Sequence, residues 1–433
     1  MRRVIGVLLV VLAGGAVGGE FGGAVEGWAQ ERAPRKVGFD EAVWEAMARN
    51  PSVARAATAI GRAEAILSQA RAVTRPTVTA RVNSITVNTP VAFDDDVIQP
   101  RHQVTFAPTL SVPILAPARW AATAQAQDQT AVAADAADEV RTQIAVATAQ
   151  TYLAIVSAQR QVSVEERSLQ TARAHLANAE RRLDAGAGSR LDMLRAAQEA
   201  TAGEARLETV RFELRSAQEA LGVLLAENGP VDAAGEPTFV VPLTLDESAW
   251  MTARPDFKTQ GTIIRAAERV VRDSWKDVGP SATLSFDPQY VVPAGIFQPS
   301  RSWRFTASLV QPIFQSGLER AVRKQRQMSL LDQRLALTQL QIQARSEVRL
   351  ARQAVASRQR ALLIVRQSAA QAEEVLQITT AAYELGATTN IEVIDAQRSA
   401  RDAETSAALA QDGLEQTRLN LLVAIGRFPT RDP

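Results

Sequence analysis

The 433-residue chain contains no cysteine. That excludes a disulfide framework, a thiolate metal site, a thiol nucleophile and a lipid-modified N-terminal cysteine. Only two histidines occur, which leaves little for imidazole acid–base or zinc chemistry. Aromatic residues are 5%, low for a large compact core. Neither sign of charge prevails, with 48 Lys and Arg against 47 Asp and Glu, so no basic field attracts nucleic acid. After the N-terminal region there is no run of ~20 apolar residues, the length a membrane-spanning helix requires. Neither proline nor glycine interrupts 118–184 or 318–385. Alanine is abundant instead. These features suit long, thin, closely packed helices better than a globular enzyme.

The first residues read as an export signal, 1–29. Arg2 and Arg3 precede an apolar stretch, Val4 to Val17, and Gly27-Trp28-Ala29 gives a small-x-small cleavage site before Gln30. The remainder is written twice. Asp40, Pro51 and Pro76 are echoed by Asp246, Pro255 and Pro280, Ser111 to Leu115 by Val310 to Phe314, and Ala185 to Ala196 by Leu385 to Ala396. The copies span 38–226 and 245–426, joined by a Pro/Gly-containing linker, 227–244. Each copy predicts a helical stretch (39–73, 246–277), two strands, and a very long helix that turns at glycine into a second long helix.

The long segments carry apolar residues seven apart. Ile155, Val162, Leu169, Leu176 and Leu183 match Val355, Leu362, Ala369, Leu376 and Tyr383, each pair offset by 200. The returning segments match likewise, Leu207, Leu214 and Leu221 against Ala407, Leu414 and Leu421. This spacing keeps one seam facing a partner helix, as in coiled coils. At 1.5 Å per residue each longer helix reaches about 100 Å, which predicts a rod or tube.

The strand segments, about 77–87, 103–112, 281–291 and 302–311, alternate apolar and polar residues. Val104, Phe106, Leu110 and Val112 oppose Gln103, Thr105, Thr109 and Ser111; Trp303, Phe305, Ala307 and Leu309 oppose Arg304, Thr306 and Ser308. About ten residues is the length of a tilted bilayer-crossing strand. Four strands cannot close a pore, and an open edge cannot sit in lipid, so a membrane reading requires oligomerisation. A soluble four-stranded sheet with one wet face fits the same alternation; the signal and the long helices favour the membrane. Pro108 predicts a bulge or strand end in the second strand.

The chain resembles the TolC family of outer-membrane efflux channels over about 38–428. The resemblance rests on Leu309-Val310-Gln311-Pro312-Ile313-Phe314-Gln315-Ser316-Gly317 and on Tyr383-Glu384-Leu385-Gly386. Ile391-Glu392-Val393-Ile394-Asp395-Ala396-Gln397 and Leu421-Leu422-Val423-Ala424-Ile425-Gly426 extend it. It implies a mainly α chain with a membrane β-barrel part, each of three chains giving four strands to one shared 12-stranded barrel above a coiled-coil periplasmic tunnel. The implied protein is a passive duct in the outer membrane for tripartite efflux or type I secretion. It contacts outer-membrane lipid and docks through a periplasmic adaptor onto an inner-membrane transporter. It has no catalytic residues, no cofactor, no metal and no nucleic-acid partner.

The resemblance also assigns residues. Glu392 and Asp395, with Asp192 in the first copy, correspond to the acidic pore constriction of the periplasmic entrance. At i and i+3, Glu392 and Asp395 share a helix face; as helix-start acids they also suit the helix dipole. The family's closing arginine, two residues past the second-turn glycine, is replaced by Thr388. Gly186, Ala187 and Gly188 with Gly386, Ala387 and Thr388 form the tip that meets the adaptor. Tyr383 and Leu183 pack between helices near the tip. His102, His175 and the run Asp94-Asp95-Asp96 have no spaced partners that would make a metal site. The competing reading is a soluble, secreted coiled-coil scaffold.

Overall fold

The computed structural model describes residues 34–93, 96–242 and 246–429. The signal segment 1–29 lies outside them, as do Asp94 and Asp95. Where one helical stretch was expected at the start of each copy, the structure has two. Helix α1 (Phe39–Arg49) ends at Asn50 and α2 (Pro51–Ala72) follows at once. In the second copy α5 (Glu247–Ala253) ends at Arg254 before α6 (Pro255–Arg272). A proline expels its predecessor from the helical region. Asn50 and Arg254 accordingly adopt extended angles, ψ 129° and 127°. The Asn50 side chain then caps α2 by accepting the Ser52 amide at 2.8 Å.

The long helices are α3 (Pro117–Asp184) and α7 (Leu318–Glu384), of 68 and 67 residues. Each turns back into a shorter partner, α4 (Arg190–Leu225) and α8 (Asn390–Ala424). No residue of the predicted seven-residue stripes is exposed; each is buried or half-buried in its hairpin seam. The two copies nevertheless differ. Helix α3 buries residues on several faces, because α2, α4, α6 and α8 all pack on it. Helix α7 buries only Ala344, Val348, Leu362 and Tyr383. Its outer side carries a second apolar stripe, exposed in the single chain, that includes Leu331, Leu335, Ile342, Leu363 and Ile378.

Four strands form one antiparallel sheet in the order β2 (Thr77–Thr86), β5 (His102–Leu115), β7 (Ser281–Val292), β8 (Arg301–Val310). Register brings the apolar residues of all of them to one face. Val82 pairs with Phe106 and Phe106 with Tyr290; Leu110 pairs with Phe286 and Phe286 with Phe305. The opposite face is polar, with rows such as Thr79–Thr109 and Ser285–Thr306. Pro108 neither ends nor bulges its strand, contrary to expectation. It pairs in register with Ala80, while the β5–β7 ladder skips residues 107–109, where Pro108 comes opposite Pro288. Two residues lacking N–H donors face each other there, so the rung is lost without a register shift. The shift falls between Pro113 and Leu115.

Short strands were not anticipated. In the loop 88–102, β3 (Val91–Phe93) and β4 (Asp96–Gln99) form a hairpin beyond the main sheet. At mid-shaft β1 (Arg35–Val37) pairs in parallel with β6 (Val231–Ala233), which lies within 227–244. This pair wraps α3. The Tyr152 hydroxyl, fully buried, donates to the Gly235 carbonyl at 2.9 Å, and its ring meets Phe39 edge-on at 5.4 Å. Tyr152→Phe removes this bond to the Gly235 carbonyl, a cost of about 1 kcal/mol, so amide exchange at residues 231–235 accelerates about fivefold. Hydrogen-exchange mass spectrometry reads this directly; unchanged exchange removes Tyr152 as the anchor.

Candidate functional site at the helical tip

Both hairpins end in the same turn. Gly186 and Gly386 have φ of 71° and 77°, the left-handed region that terminates helices. Around Gly186, the Ala187 amide reaches the Arg182 carbonyl (2.8 Å) and the Gly186 amide the Leu183 carbonyl (2.9 Å). Around Gly386, Ala387 reaches Ala382 (2.8 Å) and Gly386 reaches Tyr383 (3.0 Å). This double hydrogen bond is the Schellman motif, and it closes each tip within a few small residues. A Cβ on Gly188 would come within 3.0 Å of the Arg182 and Leu183 backbone, so that turn is tight. Its counterpart in the second copy is Thr388.

The helices leaving the two turns start differently. Ser189 accepts the Asp192 amide at 3.1 Å, and its hydroxyl donates to the Asp192 carboxylate at 2.9 Å. Asp192 is thereby engaged in a local cap, half-buried, rather than standing free. Thr389 makes no side-chain cap. Glu392 and Asp395 are exposed on one side of α8, while Val393, Ile394 and Ala396 are buried on the other. Among the described residues neither carboxylate forms an ion pair. The structure thus groups Glu392 with Asp395 and separates Asp192 from them in environment.

Between the hairpins lies a polar contact that sequence reasoning missed. His175 on α3 is 6% exposed and its Nε2 lies 2.6 Å from the Asn390 Oδ1 at the start of α8. Asn390, 3% exposed, donates from Nδ2 to the Asp192 carbonyl at 3.1 Å. With Nδ2 committed as donor, Oδ1 must accept, so His175 donates from Nε2–H. Tyr383 is buried beside it, ring centroids 5.3 Å apart. Arg182 covers the Tyr383 ring at 4.6 Å and donates to the Tyr383 carbonyl at 2.8 Å. The cross-hairpin bond therefore uses the tyrosine backbone, and Leu183 is half-buried in the seam. His175 gave no signal because its partner lies 215 residues away in sequence. Its one clue was position: both residues sit close to a turn glycine.

Further up the shaft the hairpins are tied by charge. Glu199 on α4, nearly buried, accepts from Arg398 at 2.7 Å, from Arg206 at 3.1 Å and from Arg401 at 3.4 Å. Arg167–Glu404 and Arg160–Asp412 join α3 to α8. Burial raises the Asp412 carboxyl above its usual range, opposed by Ser157 and Arg160. Burial also raises the Tyr383 phenol.

Burial pushes the His175 imidazole below the ordinary histidine value of 6.5, against the opposing pull of Asn390 and the Asp192 charge. A depressed histidine stabilises the folded contact fully above that value, and the stability is lost as pH falls through it. Protection factors at residues 383–393, which divide out the base-catalysed pH dependence of amide exchange itself, should therefore fall between about pH 7.5 and about pH 5. His175→Gln, which stays neutral, should flatten that dependence. A pH response equal in the variant removes His175 as its source.

The outer membrane efflux protein family model matches residues 42–227 and 281–427. Among solved structures, VceC, an outer membrane protein of Vibrio cholerae, is similar with TM-score 0.74 and 19% identity, covering 90% of this chain and 96% of that one. The Campylobacter jejuni CmeC outer membrane channel gives 0.77 at 15% identity, covering 90% and 85%. The open state of the Neisseria gonorrhoeae MtrE outer membrane channel gives 0.75 at 20%, covering 90% and 88%. A comparison with curated proteins finds none that matches. At these identities the structural likeness speaks for the fold. Nothing in the matches supports a soluble scaffold.

Proposed function

The chain belongs to the outer membrane efflux protein family, outer-membrane channels with a periplasmic helical tunnel, and on that premise we propose that three copies form one export duct within a tripartite efflux assembly. The observation that carries this is the sheet. Its order leaves β2 and β8 as edges, both exposed along their whole length, under a continuous apolar face. Lipid offers no partner for edge N–H and C=O groups, so β8 of one copy pairs with β2 of the next. The polar face then lines the lumen. The exposed stripe of α7 is covered by a neighbouring copy in the same assembly.

Glu392 and Asp395 form the pore constriction. Their unpaired, same-face placement on α8 supports a ring of carboxylates around the trimer axis, which favours cations. Asp192 serves the cap of α4 and contributes through its carbonyl to Asn390. The cross-hairpin hold that the family's closing arginine would give is supplied from α3, by Arg182 and His175. The turns at Gly186–Gly188 and Gly386–Thr388 receive a periplasmic adaptor, small residues permitting close approach. The adaptor links the duct to an inner-membrane transporter, and gating is the parting of the two hairpins at their tips. The duct needs no catalytic step: transport is passive, driven from the inner membrane.

Leu335→Glu with Ile342→Glu buries charge in the protomer contact and should abolish the trimer in detergent, read by native mass; a persistent trimer moves α7 off the interface. Glu392→Gln with Asp395→Asn should weaken cation preference in planar bilayers, and unchanged selectivity puts those carboxylates off the pore axis.

A further inference from the structure

The lipid-facing side of the sheet is not uniform. Next to the rung lost between Pro108 and Pro288, small ring side chains lie between rows of large aromatic ones. Register sets the rows in order: Phe106–Tyr290–Arg301, then Pro108 and Pro288 with Trp303, then Leu110–Phe286–Phe305. The result is a hollow of about 410 Å³, almost wholly apolar in lining, within one chain's own strands β5, β7 and β8. Trp303 and Phe286 wall it with ring centroids 6.3 Å apart.

At the outer end of this hollow stands a cation. Arg301 opens β8 with the same parity as Trp303, Phe305 and Leu309, so it projects from the lipid face. The helices attach at the opposite end of the sheet, so Arg301 lies on the side away from the periplasm. Its guanidinium sits 5.8 Å from the centroid of the Tyr290 ring. Among the described residues no carboxylate pairs with it. The apolar face from Ala282 to Tyr290 runs about 25–30 Å along the strand, or about 20 Å of height once the tilt of barrel strands is allowed for, which brings its upper end to the rim of their ~25 Å apolar band. Arg301 therefore lies at headgroup level and the hollow at the level of the upper acyl chains.

An arginine without a counter-charge on a lipid face is costly unless a polar group of the membrane meets it. A planar fork of donors is matched best by a phosphate. We propose that Arg301 and the hollow beneath it form a site for a lipid whose head carries a phosphate monoester, which unlike a zwitterionic phosphodiester brings no cation of its own, with that phosphate on the Arg301 guanidinium and an acyl chain laid across Pro108 and Pro288 between Phe286 and Tyr290. Three such sites ring the barrel. The inference rests on the shared-barrel reading above. By contrast, Arg304 has the opposite parity, faces Asp287 across the ladder and belongs to the lumen.

The test uses the full-length protein extracted from outer membranes, delipidated in non-ionic detergent, then titrated separately with bisphosphorylated lipid A and with phosphatidylethanolamine. Native mass spectrometry counts bound lipid. Wild type should retain lipid A in preference, up to three per trimer, and excess inorganic phosphate alone should not displace it. Arg301→Gln should lower that retention about tenfold, with Arg301→Lys intermediate and Arg304→Gln unchanged. Equal uptake of the two lipids by wild type overturns the site without recourse to any variant. So does displacement by free phosphate, or equal loss in Arg301→Gln and Arg304→Gln. A spectrum without a trimer refutes the shared barrel instead, so the two failures are told apart.

Discussion

A β-sheet surrounded by hydrocarbon cannot keep a free edge, and the rest of this molecule is arranged around that constraint. One chain supplies a sheet whose face is ready for lipid but whose two outer strands have unmatched backbone groups. Closure must come from identical neighbours. Once the strands are joined in a ring, the helices hanging from them are held side by side, which fixes where α7 meets another chain. The exposed stripe of α7 and the exposed edges of the sheet are thus two aspects of one incompleteness. The single chain is a stave rather than a barrel.

The duplicated halves use this arrangement unequally. Helix α3 is packed by its own chain on several sides, whereas α7 leaves one side open. At the tip the same asymmetry recurs in small. The first hairpin is fastened by a reciprocal Ser189–Asp192 cap; the second begins without one and is held from outside, by His175 and Arg182 of α3. The second hairpin is therefore the one whose position depends on contacts between hairpins. Those contacts are few, polar and, at His175, sensitive to protons.

Much of this could be read in the amino-acid sequence because it is periodic. The seven-residue stripes locate the hairpin seams, and the alternation around Phe106 and Trp303 locates the sheet and its apolar face. Signals confined to one or two residues were harder. Prolines 51 and 255 divide helices that the composition alone would run together. The strands β1 and β6 are three residues each and pair only because α1 and the 227–244 segment meet α3, which no local pattern announces. The effect of Pro108 depended on what stood opposite, and that was another proline from the other half of the chain. His175 and Asn390 are individually unremarkable polar residues, and their meaning arises only when two distant turns arrive at the same level.

The sheet's order also has a consequence for how the chain comes to be folded. Strands β5 and β7 are neighbours, yet Val112 and its partner Leu284 are separated by 172 positions. The hairpin of β2 and β5 can form early, but it must wait for more than 160 further residues, most of them helical, before its inner edge is covered. Its outer edge waits longer, for another molecule. Pairings of such high contact order are slow, and an uncovered apolar hairpin in water invites the wrong partner. Biogenesis is thus the most vulnerable period of this protein's existence, and it exposes not only those first strands but also the faces of α3 that α6 and α8 later cover.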